Sequence, residues 1–212
     1  MAGGRPRQFD PEVALDQAME VFWRKGYEGT TLPDLTGAMG INRPSLYATF
    51  GSKEALFEKV VERYLNGPAG HLKQALSQPT ARQVVEAIFD VEKRNLIQKD
   101  RPQGCLVVQA ALSCGDGAQA IQKLLSDHRN SFQELLKDRF EQAISEGDLP
   151  SGANPAVLAR EICALNYGLA VLSADGATSE ELSTVTKQFM VNWPVVEERV
   201  STEAMNQNES DA

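Results

Sequence analysis

The chain has 212 residues, of which 42% are hydrophobic and 24% charged, and a formal net charge of −8. That length and balance support a packed core in one or two domains and exclude a disordered chain. No uninterrupted apolar run approaches the roughly 20 residues that span a bilayer, and MAGGRPRQFD at the start lacks the apolar stretch of a signal peptide, so a cytoplasmic protein with no membrane partner is expected.

Helical spacing dominates and strand alternation is nearly absent, so the predicted fold is all-α. Asp10 is a predicted N-cap with Pro11 at the first helical position. Leu15, Ala18, Met19 and Phe22 then repeat on one face until Gly26 ends the helix. A short helix over 31–39 turns Leu32, Leu35 and Met39 inward and is closed by Gly40. The next begins at Asn42 as N-cap, with Pro44 in its first turn and Leu46 and Phe50 facing the core. Ser52 caps a longer helix that lines up Leu56, Phe57, Val60, Val61 and Tyr64.

NGPAGH (66–71) is a glycine- and proline-bearing break that marks a domain boundary. Domains of 1–66 and 67–200 are expected, followed by a disordered tail at 201–212. Beyond the break the spacing predicts helices near 80–99, 104–113, 117–146, 154–174 and 179–199, with Thr80, Asn154 and Ser179 as N-caps. Pro194 should kink or shorten the last of these. The segment from Ala156 to Leu172 is apolar around much of its circumference, which reads as burial on more than one side, within the monomer or against a second copy.

The acidity is uneven. The first 66 residues carry eight Lys/Arg against nine Asp/Glu, and the remainder thirteen against twenty. A nearly neutral front part can present a local basic face, so the overall charge neither vetoes nor supports DNA binding. Three scattered cysteines (Cys105, Cys114, Cys163) and two histidines (His71, His128) give no disulfide framework and no metal-ligand spacing, so neither a metal nor a cofactor is expected. Each cysteine can be read as a small buried hydrophobe. An enzyme is disfavoured as well: GxSxG, HExxH and phosphate-cradling glycine loops are absent. His71 falls in the linker, and His128 on a Lys/Asp-rich helical face where an exposed structural role is expected.

Two short helices joined by a glycine turn and braced by longer ones make a helix-turn-helix, whose second helix enters the major groove. Arg43, Ser45 and Tyr47 would lie on or near its outward face, where arginine pairs with guanine and hydroxyls suit phosphates or base edges. Lys53 is a cation at the positive end of a helix, and a phosphate there would turn that cost into a gain; an ordinary surface lysine is the alternative. Arg5 and Arg7 in the leading arm could reach phosphates or the minor groove, or be a solvated basic terminus.

TTLPDLTGAMGINRPSLYATFGSKEALF (30–57) closely resembles the DNA-binding signature of TetR-family transcriptional regulators. The matches are Thr30, Thr31, Gly40, Ile41, Leu46, Tyr47, Phe50, Ser52, Lys53, Glu54 and Leu56, and the close resemblance covers about residues 5–65. It implies DNA contacts from Arg5, Arg7, Thr30, Thr31, Asn42, Arg43, Pro44, Ser45, Tyr47 and Lys53. Pro44 departs from the small or polar residue usual there and removes a backbone donor.

The resemblance further implies a homodimer held by the last two helices, a palindromic double-stranded operator, and a small-molecule effector that releases it. Phe89, Cys105, Val108, Gln109, Phe132 and Tyr167 are the candidate lining of the effector cavity; each could equally be core. QGCLVVQAAL (103–112) places Cys105 in the first turn of a predicted helix, where the helix end, Lys99 and Arg101 would favour a thiolate. The segment resembles the Gly-Cys-Leu stretch of TetR-like regulators that sense electrophiles or oxidants. The rival reading is a helical adaptor whose helix-turn-helix no longer binds DNA.

Overall fold

The computed structural model describes residues 9–97 and 101–196. Arg5, Arg7, Lys99 and the 201–212 tail lie outside the described residues. Among those described there are ten α-helices and a short 3-10 turn at Asp116–Ala118, and no strand.

The front of the molecule is built from α1 (Pro11–Gly29), α2 (Leu32–Met39), α3 (Arg43–Phe50) and α4 (Lys53–Asn66). Each begins on a side-chain cap: Asp10, Thr31, Asn42 and Ser52 accept from backbone N–H groups two or three residues on. These bonds satisfy donors that a helix start leaves bare, which lets helices of eight residues persist in a protein. At Gly26 the chain takes φ 69° and ψ 174°, a region open only to glycine. The first stretch of α1 ends there, as the sequence suggests, and a further short turn runs on beyond the kink to Gly29.

The core beneath these helices is aromatic. Phe22 and Phe57 meet edge to face at 4.9 Å, Tyr27 and Phe57 at 5.1 Å, and Trp23 and Tyr64 at 4.9 Å. Outside it, Arg63 of α4 grips both carboxylate oxygens of Asp16 at 2.5 and 2.7 Å and also pairs with Glu12, so α1 and α4 are joined on the surface too.

Behind lie α5 (His71–Ala75), α6 (Ala81–Ile97), α7 (Leu106–Gln109), α8 (Gln119–Ser145), α9 (Pro155–Ala174) and α10 (Ser179–Val191). Val84, Val85, Ile88 and Phe89 of α6 join Leu136 and Phe140 of α8, Ile162 and Leu169 of α9, and Leu182 of α10 in a second core. The first core reaches back to include Leu106, Val107 and Ala110 with Ile121 and Leu125. By length and composition α9 could cross a membrane, at mean hydropathy 1.3 over its apolar window. It carries Arg160 and Glu161, however, and buries Leu158, Ala159, Ile162, Cys163, Leu169 and Ala170 in the protein.

Four sequence expectations need correction. The predicted 104–113 helix is a single turn, because the Ala110 carbonyl is taken by the Tyr27 N–H at 2.8 Å and the Gly115 N–H by Glu28 at 3.0 Å. The last helix stops at Val191, before the Trp193–Pro194 pair, where proline disfavours helical backbone in the residue ahead of it; Trp193 packs against Phe140 and Phe189. Its N-cap is Thr178 rather than Ser179, since only Thr178 has a glutamate three residues on to complete a capping box. The 66–71 break leads directly into α5, a helix the spacing did not show.

Candidate nucleic-acid interface and effector cavity

The α2–α3 pair is positioned by local chemistry. Thr31 and Asp34 cap α2 reciprocally, and Lys25 of α1 reaches Asp34 at 2.6 Å. These bonds hold the Asp34 carboxyl down at about 2, with Lys25 the largest cause. Gly40 takes the left-handed conformation (φ 64°) that reverses the chain between the helices. Asn42 Oδ1 then accepts the Ser45 N–H at 2.9 Å, while Leu46 and Phe50 anchor α3 in the core.

The opposite face of α3 is open. Asn42, Arg43 and Pro44 are exposed, Tyr47 is 49% exposed, and Ser45 is half-buried. Thr31 is exposed but its hydroxyl serves Asp34. Thr30 points inward: it is 1% exposed, and its hydroxyl donates to the Gly26 carbonyl at 2.6 Å. Lys53 has a setting the sequence did not reveal. Its ammonium stands 4.4 Å from the centre of the Tyr27 ring, whose hydroxyl donates to Glu54 at 2.9 Å. Burial lowers the Lys53 pKa, opposed by Glu54 and Glu28. The aromatic face and the two carboxylates therefore compensate within the protein for a cation at a helix start. No local signal links Tyr27 to a lysine 26 positions away.

A cavity of about 390 Å³ lies between the end of α4, α7, α8 and α9. Cys105, Val108, Phe132 and Tyr167 line it, as the sequence suggested. Phe89 and Gln109 do not. Phe89 is buried edge-on against Phe189 at 5.7 Å, and the Gln109 side chain accepts the Cys105 N–H at 3.1 Å. His128, Arg129 and Asn166 also line the cavity. His128 is thus half-buried at the cavity wall rather than exposed on a solvated face, and burial lowers its pKa below the ordinary value, with Lys73 acting the same way and Asp127 against. Asn166 could have been found: it is the one amide in the apolar run CALNYGLAVL.

The cysteines differ. Cys163 is 2% exposed, and burial pushes its thiol up to about 11. Cys114 is half-buried against the front core. Cys105 occupies the N-cap of α7, but a helix of four residues has little dipole to offer, so the expected helix-end activation of its thiol loses its basis. Among the described residues no group of three or more His, Cys, Asp or Glu converges to hold a metal.

With this geometry in place, similarity to known proteins is informative. The family profile described as bacterial regulatory proteins, tetR family, matches residues 14–60, and that of the tetracyclin repressor-like C-terminal domain matches residues 80–189. The transcriptional repressor ComR of Escherichia coli K12 is 29% identical over 193 residues, covering 90% of this chain and 92% of ComR. A cysteine mutant of the TetR-family regulator CifR, solved with 26-bp double-strand operator DNA, is 38% identical with a TM-score of 0.86, over 90% of this chain and 100% of that one. A TetR regulator from Rhodococcus sp. RHA1 is 42% identical with a TM-score of 0.60, over 87% of this chain and 100% of that one.

Proposed function

We propose, for a chain that belongs to the tetR family of bacterial regulatory proteins, that it is a dimeric repressor which leaves a palindromic operator when a small molecule fills the cavity beside α7. The observation that carries this reading is the double engagement of α7. One side of the segment, through Cys105, Val107 and Val108, lines the cavity. The other side, through Ala110, holds the Tyr27 N–H at the end of α1, and Tyr27 in turn supports Lys53 and Glu54 at the start of α4. A ligand that moves this wall acts on the frame that carries α3. The ligand must favour the arrangement that cannot bind DNA, and DNA must weaken ligand binding by the same factor.

In this reading Arg43, Tyr47 and Lys53 meet the operator, and residues 1–66 form the reading unit, with 67–200 as the effector and dimerisation unit. Two separate hydrophobic clusters support that division, although α7 packs into the first. Val157, Val171 and Leu172 of α9 and Val185 and Val191 of α10 are exposed apolar side chains on the two helices assigned to dimerisation. A two-fold contact would cover them, as self-complementary interfaces do.

Selection of bound duplexes from a random DNA library tests the core claim. Recovery of a palindrome, lost in Arg43→Glu and Lys53→Glu, is expected. Recovery of no sequence by folded dimer would replace the repressor with the adaptor reading. Cys105 in the cavity wall extends the proposal to electrophiles: an alkylating effector would form an S–C bond to the thiolate and expel its leaving group, the thiol proton passing to solvent. If Cys105→Ser releases DNA on alkylation as wild type does, that extension is wrong.

A further inference from the structure

Three arginines are half-buried among the described residues. Arg63 pairs with Glu12 and Asp16, and Arg139 with Glu146 at 4.0 Å. Arg129, in the cavity wall, has no carboxylate within ion-pair reach among the described residues, and its sequence neighbour Asp127 is engaged by Lys123 at 2.6 Å. A guanidinium partly withdrawn from water ordinarily finds an anion. Its Nη1–H donates to the Val107 carbonyl at 2.6 Å, while Nε and Nη2 make no hydrogen bond among the described residues and stay accessible. Those two nitrogens form the edge of a guanidinium that grips a carboxylate with two parallel bonds.

The rest of the wall agrees with that edge. Lys73 is exposed at the rim, near enough to His128 to help lower its pKa. Glu62 is the one carboxylate among the lining residues, and it can offset Lys73 or Arg129 but not both. A chain of net charge −8 thus gives its apolar cavity a surplus of positive charge. Resting on the proposed effector cavity, we infer that its ligand is an amphipathic anion: an apolar body against Leu72, Val107 and Phe132, carrying one carboxylate that takes the Nε–Nη2 edge of Arg129. A neutral body of the same shape leaves that edge unfilled, and a cation is repelled by it. Positive charge in an apolar wall acts over short range with little screening, so it selects on charge while the walls select on shape.

Phenylacetate, phenethyl alcohol and phenethylamine share one apolar body and differ in charge at its end. Calorimetry on the full chain without DNA, at neutral pH and low salt, is expected to show phenylacetate bound at least about tenfold more tightly than the other two. Arg129→Met should bring phenylacetate down to the level of the alcohol while the alcohol binds as before. Because Arg129 also ties α8 to Val107, a wall that collapses in Arg129→Met would lose all three probes. Arg129→Lys then decides, since it keeps the charge and should keep a preference for the anion. Equal binding of the three by wild type, tighter binding of the alcohol or the amine, or no binding at millimolar concentration overturns the inference. So does an anion preference that survives Arg129→Met undiminished, or one that Arg129→Lys abolishes while the alcohol still binds. The measurement contains no operator, so its failure would leave DNA reading by α3 standing, and recovery of no operator would leave the anion preference standing.

Discussion

The four front helices and the helices behind them solve the burial problem in opposite ways. In α1–α4 the interior is filled with interlocked aromatic rings, and the polar groups are spent on caps and on the exposed face of α3. In the rear, α7 and α8 begin without a side-chain cap bond, and the space between α7, α8 and α9 is left open. A surface that reads DNA must hold its side chains in fixed register, which dense packing supplies. A receptor for a small molecule, the role proposed for the rear, must instead leave some of its interior unfilled for the ligand. The difference between the regions is a division of labour written in burial.

The contrast can be tested by substitution. Phe57, fully buried against Phe22 and Tyr27, is central to the front core. Phe57→Ala should cost about 3–5 kcal/mol in urea unfolding and abolish operator binding; a cost under 1 kcal/mol would mean the front is not the dense region described. Gly26→Ala comes next. It forces a side chain into a glycine-only conformation and sets its Cβ 3.2 Å from the Ala110 carbonyl. A loss of about 1–3 kcal/mol is expected, together with weakened coupling between ligand and DNA, read as a smaller shift of operator affinity at saturating effector. Asn42→Ala removes the cap of α3 and should cost about 1 kcal/mol, with operator affinity falling while ligand binding in the rear stays unchanged.

The smallest effect is that of pH. Burial holds His128 below its ordinary value of 6.5, so between the folded and unfolded values the unfolded chain binds the extra proton. Stability should therefore fall as pH drops below about 6.5, and His128→Gln should flatten that slope in denaturation measured across pH. Asp34, held at about 2, acts in a lower window: its contribution is complete above about 4 and is lost as pH falls toward 2.

The front of the molecule was readable because its determinants are local. Asp10, Asn42 and Ser52 act on backbone N–H groups two or three residues away, and Gly40 fixes one turn. The inward face of α4, from Leu56 to Tyr64, follows from helical spacing alone. Where the reading failed, a distant part of the chain had intervened. The helix predicted at 104–113 gave up the Ala110 carbonyl to Tyr27, and Gly115 just beyond it gave its N–H to Glu28, both partners on α1 and more than 80 residues earlier. His128 sits among charged neighbours in the sequence, yet α8 turns it toward α5 and the cavity.

The sequence by itself determined the four front helices, their caps, the helix-turn-helix and the family resemblance, because period, cap chemistry and turn glycines operate within a few residues. Only the tertiary structure decided that Lys53 rests on Tyr27, that Phe89 is core while His128 and Asn166 face a cavity, and that α7 touches both the cavity and α1. Such facts depend on which surfaces remain uncovered once separate helices have packed. That balance of volume and hydrogen bonds belongs to the assembled chain, and no stretch of it carries the answer alone.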